Sequence, residues 1–235
     1  MKKIFLTLAS AFALLGLTTT ALAEELSLTA PSSMVAIAVL LIAMIVALIF
    51  SVKKVKWNAL MIAKAAITVA LAYVLGLITL FRMPQGGSIH LVAMLPLILF
   101  SVAFGPLEGL LAGSVYGLLE LIIDPYVIHP VQLLVDYPMA YAAVALACVA
   151  KLIPVNDRWK LPVAVILGYL GRYIIAVLSG VVFFAEYAGE QNALVYSLGY
   201  NIAYLGPEAL ICAVIALIPG MSRLPGLIRK GSTRS

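Results

Sequence analysis

Two polar side chains, Gln132 and Asp136, lie one helical turn apart in an otherwise apolar stretch that follows Pro130. Residues four apart share one face of a helix, so the amide and the carboxylate are predicted to point the same way. At a rise of about 1.5 Å per residue, Asp136 lies about 9 Å below the start of this helix. A carboxylate is costly at that depth in a membrane, so Asp136 is a candidate binding group for a cation, with a salt bridge to a basic neighbour as the structural alternative.

Aromatic and amide side chains are expected near the same level as Asp136. They are Tyr137, Phe184, Tyr187, Tyr196, Tyr200, Asn201 and Tyr204. Interfacial tyrosines are common membrane anchors, and for any single tyrosine that explanation is the simpler one. A carboxylate combined with several ring faces and an amide is more specific. This combination suits a small aromatic cation, which it would hold by charge pairing, stacking, cation–π attraction and hydrogen bonding.

Signatures of catalysis and of metal binding do not occur in the sequence. His90 and His129 are the only histidines, and no HExxH, GxSxG or GxxxxGK[ST] string is present. Cys148 and Cys212 both lie in apolar runs, so neither a disulfide framework nor a cysteine metal site is indicated. We therefore predict no catalytic residue, no metal and no cofactor. An intramembrane enzyme is the alternative of a different class, and ATP hydrolysis, if transport requires it, must occur on another subunit.

Two further charged residues lie deep in apolar stretches. By the helical rise, Arg172 is about 18 Å below the outer surface and Glu208 is about 15 to 18 Å below it. Buried opposite charges need partners, so a structural ion pair between Arg172 and Glu208 is predicted. This pairing would leave Asp136 free to meet a ligand.

The elements that must position these residues are membrane spans. Of the 235 residues, 64% are hydrophobic and 11% are charged, and the mean hydropathy is +1.15. This composition excludes a soluble enzyme, a nucleic-acid binder and a disordered scaffold. The apolar runs are continuous and lack the period-two alternation of barrel strands, which favours helices. The predicted spans are residues 35–52, 59–81, 90–104, 105–123, 130–150, 161–184 and 196–218.

The positions of basic residues predict the topology and the domain organisation. Residues 1–23 match a secretory signal peptide, with cleavage after Ala23 or, alternatively, retention as a signal anchor. Residues 24–56 are predicted to form an extra transmembrane helix with a basic cytoplasmic end, and residues 57–222 a six-helix core. Every basic cluster then falls on one side of the membrane. Residues 223–235 are accordingly predicted to be a basic cytoplasmic tail.

Small residues mark two predicted helix faces. Gly105, Gly109, Gly113 and Gly117 recur every four residues, which predicts that another helix approaches this stripe closely. A similar face on the first core helix is formed by Ala59, Ala63, Ala66 and Ala70.

Four segments in order resemble the thiamine-specific S-component family of energy-coupling factor (ECF) transporters. They are residues 83–88, MPQGGS; 129–137, HPVQLLVDY; 172–184, which open with Arg-Tyr; and 196–201, YSLGYN. The resemblance covers about residues 57–220. It implies an all-α integral membrane fold, a six-helix S-component bundle to which the extra N-terminal transmembrane helix and the signal peptide are additions. It further implies a multi-pass protein of the bacterial cell membrane that captures thiamine outside and docks on one membrane subunit and two ATPase subunits.

The resemblance also implies roles for individual residues. The vitamin pocket would be lined by Asp136, Tyr137, Phe184, Tyr196 and Asn201. The membrane subunit would dock on the face formed by Ala59, Ala63, Ala66 and Ala70. Ala176 stands where the family usually has His, and Phe184 stands where some members have Trp. A thiamine precursor or another small aromatic cation, bound by an S-component or a solitary carrier, is therefore the alternative ligand.

Overall fold

The computed structural model describes residues 30–232, which are mostly helical. The helices are α1 Ala30–Lys54, α2 Ala59–Gly76, α3 Met94–Phe104, α4 Pro106–Ile123, α5 Pro130–Leu152, α6 Asp157–Phe183, α7 Ala193–Ala216 and α8 Leu224–Arg229. Short 3-10 turns at Ala185–Ala188 and Met221–Arg223 precede α7 and α8. The predicted signal peptide, residues 1–23, lies outside the described residues.

Six helices, α1, α2, α4, α5, α6 and α7, are long and apolar enough to cross a membrane. Helix α3 is apolar but has only 11 residues. Its length of about 16 Å is shorter than a hydrocarbon core of about 30 Å. The prediction of a multi-pass helical membrane protein is confirmed by these six helices. The helix at the predicted span 90–104 is shorter than expected. The direction in which the chain crosses the membrane, and a membrane-spanning role for α1, stay predictions.

A two-stranded hairpin interrupts the helical pattern after α2. Strand β1, Thr79–Arg82, pairs antiparallel with β2, Ser88–His90. The predictions of a helix continuing to residue 81 and of a span starting at residue 90 are therefore wrong at these ends. Gly86 and Gly87 lie in the connecting turn with φ of 83° and 91°, a region that glycine enters without steric cost. The turn thus reverses the chain sharply and returns it toward the bundle.

The glycine stripe of α4 packs against the backbone of α5. A Cβ atom added to Gly113 would overlap the carbonyl oxygen of Tyr141, and one added to Gly117 would overlap that of Tyr137. The predicted close approach of a second helix to this stripe is confirmed. Because the backbones meet here without side chains between them, α4 supports the part of α5 that carries Asp136 and Tyr137.

Helix α5 changes its winding along its length. It begins as an α-helix over Pro130–Leu134, becomes a π-helix over Val135–Met139 and ends as a 3-10 helix over Ala143–Leu152. Pro138 lies within the π-helical turn and has no N–H to donate. The sequence predicts a regular helix over residues 130–150. The structure instead has a wider turn in this helix, and that turn changes the directions of the side chains within it.

Candidate ligand-binding site

A cavity of about 110 Å³ lies where the hairpin turn, the loop between α4 and α5, and helices α4 to α7 meet. It is lined by all the pocket residues that the sequence predicts: Asp136, Tyr137, Phe184, Tyr196 and Asn201. The structure therefore brings together side chains from two helices, α5 and α7, and from the residue that follows α6. Their role in binding a ligand stays a prediction.

The Asp136 carboxylate is half-buried and oriented by Gln132. Gln132 Nε2 donates to Asp136 Oδ2 at 2.5 Å, so the two side chains share a face as predicted. The same Nε2 donates to the carbonyl of Tyr126 at 3.1 Å, and Gln132 Oε1 accepts from the N–H of Ile128 at 3.2 Å. Gln132, which is 1% exposed, thus links the loop between α4 and α5 to the carboxylate.

Tyr137 is buried, and its hydroxyl holds the same loop. The hydroxyl donates to the carbonyl of Asp124 at 2.8 Å and accepts from the N–H of Tyr126 at 2.7 Å. The single hydroxyl proton is therefore used within the protein. Tyr137 accordingly contributes its ring to the cavity wall, while its hydroxyl fixes the loop.

Aromatic rings at the cavity form two groups, one around Phe184 and one around Tyr196. Phe184 lies 6.0 Å from Tyr126 and 6.0 Å from Tyr187, measured between ring centroids. The hydroxyls of Tyr126 and Tyr187 are 3.1 Å apart, and this hydrogen bond raises the pKa of Tyr126 above its usual value. In the second group, Tyr196 and Tyr200 stack with their centroids 5.9 Å apart, and both line the cavity. The sequence analysis missed Tyr126, because only the loop's fold brings it to Phe184.

Asn201 is buried and connects α6 to α7. Its Nδ2 donates to the carbonyl of Ser197 at 2.9 Å and reaches the carbonyl of Ala176 at 3.4 Å. Its Oδ1 accepts from the hydroxyl of Tyr204 at 2.9 Å. A carbonyl oxygen has two lone pairs, so Oδ1 can accept a second hydrogen bond from a ligand amine.

Three further ionisable residues, Arg172, His90 and Glu120, also line the cavity. Arg172 Nη1 lies 3.9 Å from Glu208 Oε2, so the predicted ion pair is confirmed. The Arg172 guanidinium also lies 4.2 Å from the centre of the Tyr141 ring, and both residues line the cavity. His90 and Glu120 line it too, with 3.6 Å between His90 Nε2 and Glu120 Oε1. Arg172 therefore forms the predicted ion pair and also lines the cavity, a position that the sequence analysis did not predict.

The hairpin turn closes one side of the cavity. Gln85, Gly86 and Gly87 line it, and the N–H of Gln85 donates to the hydroxyl of Tyr200 at 3.1 Å. A Cβ atom on Gly87 would lie 3.0 Å from the ring of Tyr204, so only a residue without a side chain fits closely here. Among residues 30–232, no group of three or more His, Cys, Asp and Glu side chains is arranged to hold a metal ion.

Residues 62–226 match the family described as thiamine transporter protein (Thia_YuaJ), and this segment contains the cavity and all five predicted pocket residues. The chain belongs to this family. The match confirms the resemblance found in the sequence. Because the family consists of transporters, it also confirms that the chain is a transport protein and not an enzyme.

Two relatives agree with this assignment, and a solved structure shares the fold. The thiamine transporter ThiT of Bacillus subtilis is 37% identical over 163 residues, which span 64% of this chain and 84% of the relative. The thiamine transporter ThiT of Lacticaseibacillus paracasei is 29% identical over 139 residues, which span 53% and 67% of the two chains. The structure of ThiT from Listeria monocytogenes superposes with a TM-score of 0.54 at 23% identity, covering 72% of this chain and 96% of that chain. This last likeness supports the fold alone.

Proposed function

We propose that the protein is the substrate-binding membrane subunit of an ATP-driven ECF-type vitamin importer, and that thiamine is its ligand. The observation that carries this proposal is the cavity itself. It combines an oriented carboxylate, Asp136, with several aromatic rings, in a chain whose relatives are thiamine transporters. Thiamine presents a cationic ring and an aminopyrimidine ring, so its chemistry matches both features.

Charge complementarity is the first step of the argument. A carboxylate has about four lone-pair sites, and the hydrogen bond from Gln132 uses one of them. Asp136 therefore keeps acceptor capacity for a ligand amine while its negative charge attracts a cationic ring. Because Gln132 already orients the group, little side-chain entropy is lost when the ligand binds.

Stacking is the second step. Phe184 packs against Tyr126 and Tyr187, and Tyr196 packs against Tyr200. Rings that are fixed before binding can contact the faces of a flat ligand without reorganisation. Aromatic faces also attract cations, so the same walls favour a charged ring over a neutral one.

Coupling to ATP hydrolysis requires other subunits in this proposal. Ala59, Ala63, Ala66 and Ala70 are all exposed on α2, as a face for docking on an ECF membrane subunit requires. Two ATPase subunits would supply the energy. The protein would be multi-pass in the bacterial cell membrane, with its binding cavity outside and its C-terminus in the cytoplasm.

The direct test is calorimetric titration of thiamine into the purified, detergent-solubilised protein, preceded by native mass spectrometry for a co-purifying ligand. We expect one thiamine per chain, recovered chemically unchanged. Absence of thiamine binding by the folded protein would refute the proposed ligand. Recovery of a converted product would instead favour an enzyme.

A second candidate ligand is a thiamine precursor, and Ala176 is the observation that favours it. Ala176 lines the cavity with a methyl group only, so it contributes neither a hydrogen bond nor a ring face at this position. The isolated aminopyrimidine and thiazole halves of thiamine should be titrated in parallel. Tighter binding of the pyrimidine half than of thiamine would reassign the ligand while leaving the transport role in place.

The docking proposal has its own test, co-purification with a co-expressed ECF membrane subunit and its ATPases. Ala63→Trp should abolish co-purification but leave thiamine binding intact, because the bulky ring separates the two surfaces. Ile122→Trp on α4 is the matched control, since Ile122 is 69% exposed and lies outside this face. Equal co-purification of both variants would refute docking on α2.

A further inference from the structure

Helix α1 lies before the residues matched by the family, and it packs on the bundle through one continuous face. Ile37 is 2% exposed, Leu40 is 9% exposed and Ser51 is fully buried. Leu41, Met44, Ala47 and Leu48 are partly buried on the same face. The opposite face is exposed, as Ile42 at 61% shows. Spacings of three and four residues make this a regular helix-packing stripe.

The hydroxyl of Ser51 anchors the far end of α1. Its Oγ donates to the carbonyl of Leu107 in the first turn of α4 at 2.6 Å. Near this end, Ala47 and Leu48 pack against a cluster formed by Leu110, Ala142 and Ala145. Helix α1 is therefore attached to α4 and α5 over several turns rather than touching the bundle at one point.

The near end of α1 contacts the irregular part of α5. Ile37 and Leu40 form one buried cluster with Val135, Met139 and Ala140. Val135 and Met139 are the first and last residues of the π-helical turn, and Asp136 and Tyr137 lie between them. Helix α1 thus packs on the apolar side chains of the turn whose other side chains face the cavity.

We propose that α1 is a positioning element for the binding site, in which Ile37 and Leu40 hold the π-helical turn that directs Asp136 and Tyr137 into the cavity. This inference rests on the proposed function for its effect on ligand affinity. Pro138 interrupts the regular helical hydrogen bonding of this turn, so the conformation that the turn adopts depends on the contacts around it. Gly117 of α4 supports the turn from its backbone side, and α1 supports its apolar side chains.

The test compares Ile37→Ala with Ile42→Ala, the same substitution on the buried and exposed faces of α1. The first readout needs no ligand and is the amide hydrogen exchange of the four N–H groups in residues 135–139, Pro138 having none, relative to the other helices. The second readout is the thiamine affinity of each folded variant. We expect Ile37→Ala to accelerate exchange selectively in this turn and to weaken binding by about 2- to 30-fold. Ile42→Ala should change neither.

A double-mutant cycle with Asp136→Asn separates positioning from general destabilisation. If Ile37 acts through Asp136, adding Ile37→Ala to Asp136→Asn should cost much less affinity than it costs in the unmodified protein. Equal losses in both backgrounds, or unchanged exchange in residues 135–139, would overturn the inference. A uniform rise in exchange with unchanged affinity would overturn it as well, since that is the result of a purely structural role.

Two controls keep the outcome decisive. If Ile37→Ala does not fold, Ile37→Val removes one methyl group, and the same selective change should appear at smaller size. If the unmodified protein does not bind thiamine, the proposed function fails. The exchange measurement then still decides whether α1 holds the turn.

Discussion

Replacing Asp136 with Asn tests the charge of the site with little change in its shape. The Asn side chain is nearly isosteric, and its carbonyl oxygen can still accept the hydrogen bond from Gln132 Nε2. The loop contacts of Gln132, to the backbone of Tyr126 and Ile128, are also kept. The substitution therefore removes the negative charge and leaves the orienting network in place.

The expected magnitude follows from the position of the carboxylate. Two unit charges about 4 Å apart attract by about 4 kcal/mol at an effective dielectric constant of about 20, before either charge is desolvated. Asp136 is half-buried, so part of this attraction is offset by lost hydration. A net loss of about 1.5 to 3 kcal/mol remains, typical of a hydrogen bond to a charged group. This corresponds to about 10- to 150-fold weaker thiamine binding.

The assay is calorimetric titration of thiamine into Asp136→Asn and into a matched control, Asp157→Asn. Asp157 lies at the start of α6, exposed and outside the cavity, so its substitution should leave the affinity unchanged. Thermal unfolding should confirm that both variants are folded. The reasoning is refuted if folded Asp136→Asn binds thiamine within about twofold of the unmodified protein.

Three further predictions use other residues of the cavity. Ala176→His should strengthen thiamine binding by about 2- to 10-fold in calorimetry, because it adds a ring face and a hydrogen-bonding group; weaker binding in a folded variant would show that the space is needed. Arg172→Glu and Glu208→Arg should each reduce the yield of folded protein, and their combination should restore it; a double variant no better than the singles would argue against the ion pair. Thiamine should leave the emission of the two native tryptophans unchanged, since neither lines the cavity, whereas Phe184→Trp should be quenched on binding. Quenching in the unmodified protein would contradict this geometry.

Several features were predictable from the sequence because their signals are local. Long apolar runs without alternation predict membrane helices, and the structure has them. The glycine spacing in residues 105–117 predicts close packing, and Gly113 and Gly117 meet the backbone of α5. Gln132 and Asp136 are one helical turn apart in the sequence, which predicts that they are neighbours, and their side chains are hydrogen-bonded. The depth of Arg172 and Glu208, obtained from the helical rise alone, predicted their ion pair.

Other features were decided only by the tertiary structure. The hairpin replaced the predicted end of α2 because Gly86 and Gly87 turn the chain back onto the rings of Tyr126 and Tyr204. The position of Tyr126 beside Phe184 depends on a loop whose hydrogen bonds come from Tyr137 and Gln132.

The π-helical turn at Val135–Met139 contains Pro138, a local signal, and also packs on distant parts of the chain. Its apolar residues pack on Ile37 and Leu40, which lie about a hundred positions earlier in the chain. Sequence alone determined which side chains can carry the chemistry and that they lie in membrane helices, because residue type and apolar length are properties of short segments. Only the tertiary structure shows where Asp136 points, because the irregular turn that carries it packs between α1 and α4.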